Sequence, residues 1–158
     1  MQVDIYVAGN SKRPDSIERW AGYLVRAKGG KKEVTGAACY ASTLYASLLM
    51  IMVEALDRFT RPADITMHIE SDWIIGKLIV GNNGKRVIDM WQEREWKTAR
   101  GTPVKNKNEW QRLYNKLRVF EQSGGTFEFV SMQEEDEADC DSRGKIARTI
   151  ERSMTDIE

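Results

Sequence analysis

The 158-residue sequence predicts an α/β fold, a five-stranded mixed sheet with helices on both faces. Three observations carry this. Short stretches of period-2 alternation give way to 3.6-residue periodicity and back again along the chain. A hairpin signal near the N-terminus pairs two early strands. Strands and helices then alternate to the end. The length suits one domain over 1–158 with a full core of its own.

The elements follow in order. Val3, Ile5 and Val7 alternate with Asp4, Tyr6 and Ala8, which predicts a strand ending at the turn pair Gly9-Asn10. Lys12 to Arg19 is polar, contains Pro14 and reads as a loop. Gly22–Arg26 and Glu33–Ala37 flank Lys28-Gly29-Gly30-Lys31, a hairpin. Ser42 or Thr43 caps a helix to about Phe59, with Leu44, Leu48, Met52, Leu56 and Phe59 on one face. Pro62 separates it from a strand over Ile65–Glu70. Helices are predicted over Trp73–Val80, Val87–Trp96 and Lys107–Phe120, with the turn Gly81-Asn82-Asn83-Gly84 and the loop Gly101-Thr102-Pro103 between them. Ser123-Gly124-Gly125 precedes a strand over Thr126–Ser131. Ile146, Ile150 and Met154 mark a last helix over Ser142–Met154.

Composition excludes several classes. The longest apolar stretch, Leu44 to Val53, is too short to span a bilayer, and the N-terminus has no signal-peptide pattern, so no membrane role is expected. Cys39 and Cys140 form no CxxC pair, and His68 is the only histidine. This argues against zinc and for a reducing, cytoplasmic setting in which both cysteines are small buried residues. The 24 basic and 24 acidic side chains cancel, but not locally. Residues 85–118 carry ten basic and four acidic groups, and residues 119–141 carry eight acids and no base. A polyanion-binding face beside an acidic patch has this charge pattern, and so do two solvated faces that neutralise each other.

One dense block of residues resembles a known family. Trp96-Lys97-Thr98-Ala99, Pro103-Val104-Lys105-Asn106 and Trp110-Gln111-Arg112-Leu113 resemble, in order and spacing, the handle and following helix of bacterial type 1 ribonucleases H. Ile5–Asn10 is similar to that family's first strand and turn, Ile69-Glu70-Ser71 to the end of its fourth strand, and Cys140-Asp141 to its last motif. The resemblance covers roughly residues 3–150 and implies a ribonuclease H-like fold that acts on RNA–DNA hybrids. It also implies metal-assisted phosphodiester hydrolysis, in which two Mg²⁺ (or Mn²⁺) ions held by converging carboxylates activate water and stabilise the leaving oxygen.

Carried over position by position, the family's four carboxylates fall on Ala8, Tyr45, Glu70 and Asp141. The first two cannot ligate a metal. Asp4 lies four residues along the strand from Ala8, roughly 13 Å away. Glu54 lies on the opposite helix face from Tyr45. Glu70 and Asp141 remain as remnants, able to hold one ion weakly. An acid from 134–139 is the one candidate to complete a rearranged, active centre; the alternative is that both acids pair with Lys12, Arg13 or Arg143. Three further family features are altered: the turn is Ser11–Asp15, the RNA-reading pair is Ala41-Ser42, and the loop over 131–137 has no histidine. His68 is expected to be structural.

The basic handle, 85–106, interleaves Trp91, Arg94, Trp96, Lys97, Arg100 and Lys105, which suits phosphate contact and stacking on RNA–DNA hybrid or duplex. The alternative is that its tryptophans pack between helices. The leading expectation is a nucleic-acid-binding protein related to RNA–DNA hybrid hydrolysis, with activity lost or strongly reduced. The acidic segment 134–141 offers a third reading, a protein-interaction module without nucleic-acid binding.

Overall fold

A computed structural model describes residues 1–9, 19–40 and 43–157. The strands are β1 (Gln2–Gly9), β2 (Arg19–Ala27), β3 (Glu33–Tyr40), β4 (Asp64–Ile69) and β5 (Thr126–Ser131). The helices are α1 (Leu44–Leu56), α2 (Asp72–Leu78), α3 (Val87–Glu93), α4 (Lys107–Gln122) and α5 (Glu137–Ile157). The sheet runs β3-β2-β1-β4-β5, antiparallel across β1, β2 and β3 and parallel from β1 to β4 to β5. This is the mixed sheet that the hairpin and the later alternation predict. The segments Ser11–Asp15 and Ala41-Ser42 lie outside the described residues, and Arg19 belongs to β2 rather than to a loop.

Strand alternation divides β1 between two cores. Val3, Ile5 and Val7 pack with Ile65, Met67 and Ile69 of β4 beneath α1 and α4. Tyr6 and Ala8 face the other way and pack with Leu24, Met132, and Ile146 and Ile150 of α5. Helix α1 is apolar nearly all round and buried from Ala46 to Leu56 apart from Met50 and Glu54. Thr43 caps it by accepting from the Ala46 N–H at 3.2 Å, and it ends one turn before Phe59. No helix among the described residues is long and apolar enough to cross a membrane.

Two glycines allow close approach. A Cβ on Gly22 would lie 2.8 Å from Ile146 Cγ2, so its absence lets α5 sit down on β2. A Cβ on Gly36 would lie 2.5 Å from the Tyr23 ring, which lies across the glycine on the neighbouring strand. Tyr23 is pinned there, because its hydroxyl accepts from Arg58 Nε at 2.7 Å. We expect Gly36→Ala to cost about 1–3 kcal/mol through overpacking, read as a lower urea midpoint with unchanged slope.

Several predicted helix boundaries shift, and two of the shifts have a clear local cause. Helix α3 stops at Glu93 rather than Trp96, because Glu95 and Trp96 take left-handed φ values of 57° and 63°. Helix α5 begins at Glu137, five residues before Ser142. Asp136 starts it, with its side chain accepting from the Asp139 N–H at 3.0 Å and its carbonyl from the Cys140 N–H at 3.0 Å. The acids of 137–141 thus lie in the first turns of a helix, where negative charge complements the exposed N–H groups.

Candidate functional site

The segment 85–106 is built around its tryptophans. Trp91 and Trp96 are buried, and Trp110 of α4 is fully buried. Trp91 meets Trp110 edge-on at 5.2 Å and Trp96 at 6.5 Å, while Trp96 meets Tyr114 at 5.7 Å. Trp91 and Trp96 therefore brace the segment and offer no open face for stacking, which narrows the six candidates to four. The left-handed turn at Trp96 is held by its N–H on the Trp91 carbonyl (2.7 Å) and its indole Nε1–H on Gln92 Oε1 (2.8 Å). Several contacts thus over-determine a conformation that costs about 1–3 kcal/mol in isolation.

Beyond the turn, Lys97 pairs with Pro103 and Thr98 closes on Thr102, forming a short tongue. Gly101 turns its tip with φ 83°. Arg94, Lys97, Arg100 and Lys105 all project into solvent from this frame.

The four positions that the resemblance assigns to carboxylates are a different matter. Ala8 is 4% exposed, and its methyl is seated in the apolar seam beneath α5. Tyr45 is exposed and leans on Trp73. Glu70 continues past the end of β4, where its backbone N–H donates to the Val7 carbonyl at 3.2 Å. Its carboxylate receives the Gly9 amide and lies 3.0 Å from Arg143 Nε, a charge pair in which the N–H is not aimed along the line of centres. Burial raises the Glu70 carboxyl above its ordinary value, against opposite pulls from Arg143 and the Gly9 amide. Asp141 lies 3.1 Å from Lys145 Nζ and 4.0 Å from Arg26. Lys145 also reaches both oxygens of Glu33 at 2.9 Å, and the hydrogen bonds it donates to Glu33 and then to Asp141 hold its ammonium above its ordinary value.

These residues do not fit a two-metal centre. Such a centre needs several carboxylates with their charge free to converge. Here an alanine, a tyrosine and two acids already matched to cations stand in their place. Among the described residues, no group of three or more His, Cys, Asp or Glu side chains is placed to hold an ion.

The local rescuers are also engaged. Asp4 contacts His68 Nε2 at 2.9 Å. Glu54 accepts from the Tyr40 hydroxyl at 2.8 Å. Asp139, the one buried acid of 134–139, accepts from the Gln133 N–H at 2.8 Å and lies 3.6 Å from His68 Nδ1. His68 stacks on Tyr6 at 4.2 Å between these two acids, the structural place expected for it. Cys140 is exposed, with its thiol donating to the Glu134 carbonyl, and Cys39 is half-buried, so neither is the fully buried residue expected. Sequence reasoning named Arg143 only as one of three partners for the acids and missed Lys145 and Arg26. The i+2 and i+4 spacing of Arg143 and Lys145 from Asp141 is visible in the sequence, whereas nothing local points to Arg26.

Comparisons with known proteins bear on the family and the fold. A Ribonuclease H of Xanthomonas oryzae pv. oryzae (strain MAFF 311018) is 36% identical over 112 residues, which span 71% of this chain and 69% of that one. A Ribonuclease HI of Xylella fastidiosa (strain Temecula1 / ATCC 700964) is 35% identical over 111 residues, 70% of this chain and 69% of its own. Among solved structures, a foamy viral protease-reverse transcriptase in complex with dsDNA matches with a TM-score of 0.66 at 10% identity, over 94% of this chain and 92% of that one. LC9-RNase H1, a type 1 RNase H with the type 2 active-site motif, matches with a TM-score of 0.64 at 18% identity, over 94% of this chain and 72% of that one. At those identities the two likenesses bear on the fold alone. No protein-family model matches the chain.

Proposed function

The chain belongs to the ribonuclease H family, and from that premise we propose that it binds RNA–DNA hybrid or duplex through the exposed cations of 85–106 while hydrolysis is lost or strongly reduced. The carrying observation is the charge pairing at the carboxylate site. Arg143 on Glu70 and Lys145 on Asp141 neutralise the two acids that remain, and Ala8 and Tyr45 supply none. A divalent cation would meet fixed positive charge there instead of converging carboxylates.

Binding needs none of these groups. Arg94, Lys97, Arg100 and Lys105 stand on a braced frame, and phosphate contacts from such side chains supply sequence-independent affinity. The double variant Lys97→Glu/Arg100→Glu should weaken hybrid binding about tenfold or more at low salt, and flatten the log–log salt dependence by about one unit per residue. Fluorescence anisotropy across a salt series reads both.

The same preparation tests hydrolysis. A labelled RNA–DNA hybrid incubated with Mg²⁺ or Mn²⁺ should stay intact. Cleavage that Asp141→Asn abolishes would instead establish a rearranged, active centre. No binding at low salt would move the assignment to a protein-interaction role for the acidic segment 134–141.

A further inference from the structure

Tyr45 and Trp73 are 40% and 41% exposed, the only rings among the large exposed hydrophobic side chains of the described residues. Their centroids are 4.9 Å apart, with the planes inclined at 37°. Each is the second residue of its helix, placed by a capped N-terminus at Thr43 and Ser71. Glu70 directly precedes the second cap. Leu44, the neighbour of Tyr45, lies so close to Gly9 that a Cβ there would be 2.8 Å from its Cδ1. The pair therefore stands beside the strand ends that carry Ala8 and Glu70.

Two features distinguish it from a chance apolar exposure. It is braced, because Trp73 meets the buried Trp110 edge-on at 6.0 Å and Trp110 meets Trp91 of the basic segment. It is also flanked by a cation, with Lys77, one helical turn from Trp73, holding its ammonium 5.3 Å from the Trp73 ring centroid. A rigid aromatic surface beside a flexible ammonium, joined by an aromatic column to a segment of exposed cations, matches a base with its neighbouring phosphates.

We propose that Tyr45 and Trp73 form a stacking site for an unpaired nucleobase, so that the chain takes single-stranded nucleotides adjoining a duplex. The base must be unpaired, because a base within a duplex has both faces covered by its neighbours, whereas a splayed one presents a face to an aromatic ring. Lys77 then turns from the ring to the adjoining phosphate. Position 45, which the family pattern fills with a metal-ligating acid, thereby contributes a ring to base binding. The inference rests on the nucleic-acid reading above and adds the ligand's form to it.

The test compares a blunt RNA–DNA hybrid with the same hybrid bearing a short single-stranded overhang that contains 2-aminopurine. The overhang should tighten binding about tenfold, the worth of one stacked base, and the 2-aminopurine emission should be quenched on binding. Tyr45→Ala, at an exposed position, should remove both effects and change blunt-hybrid affinity by less than about twofold, while Tyr45→Phe keeps them. Lys97→Glu should weaken both ligands alike. Equal affinity for the two ligands in the unaltered protein, or quenching that survives Tyr45→Ala with the fold intact by circular dichroism, overturns the stacking site and leaves duplex binding standing. Failure to bind either ligand at low salt overturns both.

Discussion

Ala8→Asp, Tyr45→Glu, Glu70→Asp and Arg143→Ala, combined in one chain, should raise Mg²⁺-dependent cleavage of an RNA–DNA hybrid above that of the unaltered protein. The gain should be at least about a hundredfold over parental background, because one preorganised electrostatic group at a transition state is worth about 10²–10³ in rate. The variant carries a cost that serves as a second readout. The carboxyl introduced in place of the Ala8 methyl would sit in the seam of Tyr6, Leu24, Met132, Ile146 and Ile150, where an unpaired polar group costs about 1–3 kcal/mol. The variant's melting temperature should therefore fall in chelator and recover in part with Mg²⁺, because an ion that binds only the folded state stabilises it. A folded variant inert with both Mg²⁺ and Mn²⁺ would mean that these four substitutions are not enough to build a metal centre here.

Trp110→Ala should be the most damaging single substitution to stability, at about 3–5 kcal/mol, the range for removing a fully buried large aromatic. Trp110 is fully buried and meets Trp73 and Trp91 edge-on. Its loss would remove the joint between α2, α3 and α4 together with its own contacts. Against a typical stability of about 5–15 kcal/mol, much of the folded population would be at risk. Trp110→Phe should cost clearly less. It keeps a ring, and the indole Nε1–H it removes has no hydrogen-bond partner among the described residues. Urea midpoints of the two variants separate these outcomes. A loss as large for Phe as for Ala would show that an interaction of the indole nitrogen dominates.

Most of the fold was legible because local signals and tertiary packing agreed. The alternation of residues 3–7 is the alternation of β1 between its two cores, and Ser123-Gly124-Gly125 marks the start of β5. Errors arose where one side chain overrode the pattern. The apolar period runs through Trp96, but two left-handed residues end α3 earlier, and nothing in the spacing of Glu95 and Trp96 marks that turn. The acids of 134–141 look like a solvated loop until Asp136 is recognised as a helix start.

The candidate site divides in the same way. The four positions Ala8, Tyr45, Glu70 and Asp141 came from the family resemblance carried over position by position. Of the cations beside Glu70 and Asp141, Arg143 was named from the sequence and Lys145 lies at a visible spacing, but Arg26 was hidden, because its pairing with Asp141 depends on β2 and α5 meeting in space. The exposed Tyr45–Trp73 pair was equally hidden, since no periodicity reports that two helix starts face one another.

The apolar seat of Ala8 acts as a ratchet. An acid placed there first enters an oily seam with no ion to receive it. Removing Arg143 first strips Glu70 of the cation beside its partly buried carboxylate. Either of these two steps taken alone toward a metal centre is uphill, and an ion that linked the changes would offset them. The arrangement at Ala8, Glu70 and Arg143 is therefore held in place by packing as much as by charge.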